Sequence, residues 1–185
     1  MEAPQAAIPA QGPPHNICYP VLFGEEIHLM RGNDQVIALL NQALKEELTA
    51  VNQYFVHAEM NENWGYERLG KHIKKQAIDE MKHAEKLIER ILFLDGTPIV
   101  SEAPAVKIGS TVKAQLENDL ALELQAVPMY NAAVKAAAAA GDNGSRELFE
   151  ELLEDEEGHV DWLEAQLHMV QEMGLDNYLA QQMGE

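Results

Sequence analysis

From Asp34 onward, apolar residues recur three and four positions apart, the spacing of one helical face. The run is interrupted only where turn-forming residues gather, at Trp64-Gly65, Gly96-Thr97-Pro98, Gly141-Asp142-Asn143-Gly144 and Gly174. These breaks predict four long helices, roughly 34–63, 66–94, 112–140 and 145–173, and a short tail helix near 176–182. Each long helix spans ~40 Å at ~1.5 Å per residue. The first and third links are short, which makes their neighbours antiparallel hairpins, whereas 95–111 is long enough to run the length of a bundle. The expected fold is therefore all-α, an antiparallel four-helix bundle with one long crossover and a short fifth C-terminal helix. Residues 1–29 break from this pattern, with Pro4, Pro9, Pro13, Pro14 and Pro20 in an Ala/Gln/Gly-rich setting. They read as a flexible N-terminal extension on a single domain over 30–185, and Met30 would serve as a start for that domain.

Several stripes carry residues that do not belong in an apolar core. The fourth helix reads Phe149, Leu152, Leu153, Glu156, His159, Val160, Leu163, Leu167, Val170, so Glu156 and His159 point inward. The second repeats this with Leu69, Ile73, Gln76, Ala77, Glu80, His83, Ala84, Leu87, Ile91. The first carries Leu40, Leu44, Glu47, Val51, Tyr54, Ala58 and the third Leu116, Leu120, Glu123, Val127, Tyr130, Val134, each burying one glutamate. Glu47 and Glu80 are 33 residues apart, as are Glu123 and Glu156, and each of Tyr54 and Tyr130 follows its glutamate by seven. The two halves, offset by 76 residues, suggest a pseudo-twofold site.

Four buried carboxylates repel one another unless they are protonated or matched by cations. Two divalent metals supply the match, with each Glu-x-x-His placing an oxygen and a nitrogen ligand on one helical face. This mixed donor set suits iron or manganese, and zinc as an inhibitor. Composition agrees. Across 185 residues, 31 Asp and Glu oppose 13 Lys and Arg, and a net charge of −18 disfavours nucleic acid and anionic membrane as partners. The single Cys18 excludes an intrachain disulfide and a thiolate zinc cage, which leaves His and carboxylate as the ligand types. No apolar run approaches the ~20 residues of a membrane helix, and the first 30 residues hold no Lys or Arg for a targeting segment, so the expected location is cytoplasmic.

The stretches Glu47-Leu48, Asn52-Gln53-Tyr54-Phe55, Ile78-Asp79-Glu80-Met81-Lys82-His83-Ala84-Glu85, Asp119-Leu120-Ala121-Leu122-Glu123-Leu124 and Asp155-Glu156-Glu157-Gly158-His159-Val160-Asp161-Trp162-Leu163 resemble the bacterioferritins, from Met30 to Gln182. The resemblance implies a ferritin-like fold in which Glu80 and Glu156 bridge two irons, Glu47 and Glu123 are terminal carboxylates, and His83 and His159 ligate one iron each. It implies a ferroxidase using dioxygen or peroxide, an iron-storage shell of 24 identical subunits built from dimers, and a ferredoxin-type electron donor. Met81 lies about 100° around its helix from Glu80, beside Ile78, Ile88 and Leu92 on a second apolar stripe that faces out of the bundle. The resemblance makes it the ligand of haem b shared between two subunits. Tyr54 and Tyr130 fit either as core tyrosines bonded to a ligand carboxylate or as electron donors, and Tyr54 is carried forward as a catalytic candidate.

Three features depart from the family pattern. Lys75 stands where some relatives place a histidine for an inner-surface iron site, with His72 about a turn further back. Pro128, five residues after Glu123, should remove one backbone hydrogen bond and bend the third helix. The extension, with His15, Cys18 and His28, matches nothing in the family. Two rival functions remain, a di-iron oxygenase or peroxidase acting on another substrate and a shell subunit that only binds haem and docks an electron donor. The first requires a substrate pocket beside the metals; intact ligands at all six positions count against the second.

Overall fold

The computed structural model describes residues 30–101 and 105–184; the N-terminal extension, with His15, Cys18 and His28, lies outside the described residues. Five helices follow in order: α1 (Asp34–Asn63), α2 (Glu67–Phe93), α3 (Val112–Ala139), α4 (Asn143–Met173) and α5 (Leu175–Gln182). Local chemistry sets their ends. Asn33 caps α1, its side-chain oxygen accepting the Gln35 and Val36 N–H groups at 2.9 and 3.3 Å. Asp142 caps α4 through the Ser145 N–H, which starts that helix two residues earlier than the sequence spacing suggested. Gly65 and Gly141 turn the two hairpins at φ +88° and +73°, a region costly for any residue with a Cβ.

α1 packs along α2 and α3 along α4, and the hairpins meet across α1–α3 and α2–α4. The crossover lies on α1. Asn41 binds the Thr97 carbonyl and the Ile99 N–H, Gln53 accepts from Lys107 N–H, and His57 accepts from Gly109 N–H. From Asn41 to His57 is ~24 Å of helix, so the link runs along the bundle as its length required. Gly109 closes it against α3, where a Cβ would sit 2.4 Å from the Gln115 nitrogen.

Two apolar clusters fill the interior. One includes Leu40, Leu44, Leu87, Ile91, Tyr130 and Phe149; the other includes Ala58, Leu69, Ile73, Leu116, Leu163 and Tyr178. The inward-facing glutamates and histidines lie between them in sequence along every helix. The inner line of α3 differs from expectation. Leu120, Val127 and Val134 are only half-buried, and the buried line is Leu116, Asp119, Glu123, Ala126, Tyr130, Ala133, Ala137. Small alanines let α3 approach its neighbours, while Leu120 and Val134 pack at the rim of the clusters. α3 runs through Pro128 as one helix. Pro128 and Leu124, whose carbonyl loses its intrahelical partner, are both exposed.

Candidate metal centre

The fold brings all six inward-facing polar groups to one place. Glu47, Glu80, His83 and Glu156 offer four ligand atoms within 4.8 Å of one another, and so do Glu80, Glu123, Glu156 and His159. Glu80 and Glu156 belong to both sets, which makes two adjoining positions with shared carboxylates between them. His83 Nδ1 lies 2.9 Å from Glu80 and 3.4 Å from both Glu47 and Glu156; His159 Nδ1 lies 2.9 Å from Glu80 and 3.3 Å from Glu156. Each histidine thus turns the same nitrogen inward. The tyrosines cross between halves: Tyr54 donates to Glu123 and Tyr130 donates to Glu47. Both hydroxyls are therefore satisfied on ligand carboxylates.

Burial and mutual repulsion divide the carboxyl groups into two kinds. Burial, with the charges of Glu156 and Glu80 nearby, pushes Glu47 and Glu123 well above the usual carboxylate range. Burial acts the same way on Glu80 and Glu156, but hydrogen bonds from His159 and His83 outweigh it and hold both below that range. The histidines respond in kind. Burial disfavours their charged forms, yet bonds to the carboxylates prevail, raising His83 strongly and His159 to about 10. These shifts favour protons on Glu47, Glu123 and both imidazoles and charge on Glu80 and Glu156.

Glu47 Oε2, Glu80 Oε1 and Glu156 Oε1 are buried without a well-directed hydrogen bond, each facing a histidine Nδ1 at 3.4, 2.9 and 3.4 Å. Orphaned carboxylate oxygens in the interior are costly, and their convergence with two imidazole nitrogens is the donor arrangement a pair of divalent cations completes. The residues present fit such a pair. A cavity of about 10 Å³ touches Glu47, Glu80, Glu123 and Glu156, and Glu46 and Leu122 line both it and a separate pocket of about 140 Å³.

Other polar residues escaped the sequence reading. His57 and Asp119 are fully buried, with His57 Nδ1 2.9 Å from Asp119 Oδ1, and Gln53 donates to the same carboxylate at 2.8 Å. Asn61 donates to Gln115 at 2.6 Å to extend this network. The signal for it was a step of four, Gln53-His57-Asn61 on α1 and Gln115-Asp119 on α3. His72 stacks on Trp162 with ring centroids 4.0 Å apart, and it belongs to neither group of possible ligands.

Comparison with known proteins places this arrangement. A family model described as a ferritin-like domain matches residues 37–173. A bacterioferritin from Mycolicibacterium paratuberculosis is 41% identical over 152 residues, covering 82% of this chain and 96% of the relative. The chain belongs to the bacterioferritins. Within that family it is also similar to a bacterioferritin from Rhodobacter capsulatus, 43% identical over 145 residues (78% of this chain, 90% of the relative). A bacterioferritin from Brucella melitensis is 44% identical over 149 residues, or 80% and 92% of the two chains. The second stripe faces outward in this bacterioferritin chain: Ile78, Met81 and Leu92 are exposed, Met81 by 55%, and Ile88 is half-buried. No helix among the described residues is long and apolar enough to cross a membrane.

Proposed function

We propose that this chain is an iron-storage subunit that oxidises Fe(II) at the buried centre. The observation that carries the reading is the pair of four-ligand sets sharing Glu80 and Glu156. In this reading Glu47 and His83 complete one position, Glu123 and His159 complete the other, and Glu80 and Glu156 bridge them. A ferrous pair bound there supplies two electrons to dioxygen or peroxide, and ferric product is stored as mineral inside a 24-subunit shell. The protein's own groups do the rest. Glu47 and Glu123 give up their protons as cations enter, the Tyr54 and Tyr130 hydroxyls hold those two carboxylates in orientation, and the flanking apolar clusters bury the centre on both sides. We also assign Tyr54 as a candidate electron donor to the centre. We extend the reading to haem b held between two subunits by Met81, to a ferredoxin-type donor for iron release, and to a cytoplasmic location.

The cavity beside the ligands favours a small oxidant. The space among the four glutamates, about 10 Å³, holds roughly one water-sized molecule. The test is Glu80→Ala and His159→Ala. Each should abolish the fast oxidation of the first two ferrous ions per subunit, followed by stopped-flow absorbance, with helicity unchanged. An unaltered fast phase in both variants would overturn the assignment.

A further inference from the structure

The 76-residue offset that superimposes the ligands also superimposes their neighbours. Asp79 precedes Glu80 as Asp155 precedes Glu156, so pseudo-symmetry would give each histidine the same outer partner. The structure does not do this. His83 Nε2 lies 3.1 Å from Asp155 Oδ2, across the α2–α4 interface. Asp79 instead lies 3.3 Å from Lys75 Nζ and 2.7 Å from Lys82 Nζ on its own helix, and among the described residues no side chain hydrogen-bonds Nε2 of His159. The cause is visible one turn away. Asp79 has Lys75 at i−4 and Lys82 at i+3, whereas Asp155 has Glu151 and Gly158 at those positions. Two lysines hold the first aspartate along its own helix; the second has no lysine at either position, Glu151 itself pairing with Lys86 at 2.8 Å, and it reaches His83. A polar pocket of about 260 Å³, lined by Asp79, Lys82, His83, Lys86 and Asp155, opens onto this contact and not onto His159.

We propose that Asp155 is a positioning residue for His83 and that Lys75 and Lys82 deny His159 the equivalent support, so that the two metal positions are unequal. A carboxylate on the outer nitrogen of a ligand histidine fixes the proton there, presents the inner nitrogen's lone pair to the metal, and makes that nitrogen a stronger donor. Asp155 does this for the position completed by Glu47 and His83. The position completed by Glu123 and His159 is the weaker one. Lys75 thus has a role at the centre without touching a ligand.

This rests on the di-metal reading, and the test separates the two. Anaerobic Co(II) titration of the metal-free full chain, read in the visible absorption bands, reports both positions without any oxidation. Wild type should bind two ions per subunit in two resolved steps. Asp155→Ala should weaken the tighter step by ten- to a hundredfold, bringing the steps together, and Asp155→Asn, which keeps the acceptor oxygen, should recover part of the loss. Asp79→Ala, at the pseudo-equivalent position, should leave both steps in place. Failure of wild type to bind two ions would overturn the di-metal reading itself. Two ions in wild type with the steps unmoved in Asp155→Ala, or equal losses in Asp155→Ala and Asp79→Ala, would overturn the inequality alone.

Discussion

Burial and the charges of Glu156 and Glu80 favour protons on Glu47 and Glu123 in the metal-free centre, and the surrounding carboxylates favour protons on His83 and His159. Cations that bind these side chains must displace all of those protons. Four carboxylates, two neutral imidazoles and two divalent ions are neutral, so filling the centre exchanges four protons for two ions. The expected outcome is release of about four protons per two Fe(II) or Co(II) bound anaerobically near neutral pH, measured by pH-stat. The sign follows: the raised groups are protonated at low pH, so affinity falls as pH falls and rises with pH, less steeply once His159 begins to lose its proton unaided, near 10. Each displaced proton contributes roughly a tenfold gain in overall affinity per pH unit. Release of two protons or fewer would mean that Glu47 and Glu123 are already ionised.

The crossover is the element whose position depends most on single side chains. His57 accepts the Gly109 N–H at 3.0 Å on one nitrogen and therefore carries its proton on the other, where it donates to Asp119. His57→Ala removes both bonds and leaves Asp119 buried with only Gln53 as a partner. The expected cost is about 2–5 kcal/mol of stability, by urea unfolding. Hydrogen exchange at the Lys107 and Gly109 amides should accelerate in the same variant; unchanged exchange there would show that the crossover is held by other contacts. The helices themselves were legible to within two residues, since their breaks use glycine and capping chemistry that acts locally. The network beneath the crossover was not. Gln53, His57 and Asn61 repeat at a step of four, which reads as a solvated face until α3 supplies Gln115 and Asp119 opposite.

Across the whole molecule, two surfaces bear on assembly. The exposed Ile78, Met81 and Leu92 form an apolar stripe, a surface that a second subunit covers in the proposed shell. Met81→Leu keeps the volume and removes the thioether, so the Soret band should disappear while the assembled mass, by size-exclusion with light scattering, is retained. Haem bound with an unchanged axial spectrum would make Met81 a packing residue only. Residues 1–29 are proline-rich in sequence and lack helical period. A chain beginning at Met30 is expected to fold, assemble and oxidise Fe(II) at a similar rate, with any deficit confined to shell stability. Loss of oxidation in a correctly folded truncation would extend the functional unit into the N-terminal residues.

The sequence by itself determined the helices, their breaks and the six inward polar groups, because helical periodicity and capping are local and the 76-residue repeat made the pattern appear twice. Only the tertiary structure decided who meets whom. Tyr54 bonds Glu123, 69 residues away, and not the Glu47 of its own helix; Tyr130 reaches back 83 residues to Glu47; His83 finds Asp155 at a separation of 72. It also chose alanines over valines for the inner line of α3. Each of these outcomes depends on the register and approach of one helix against another, a quantity that side-chain packing fixes and that a period of 3.6 residues along one chain segment does not contain.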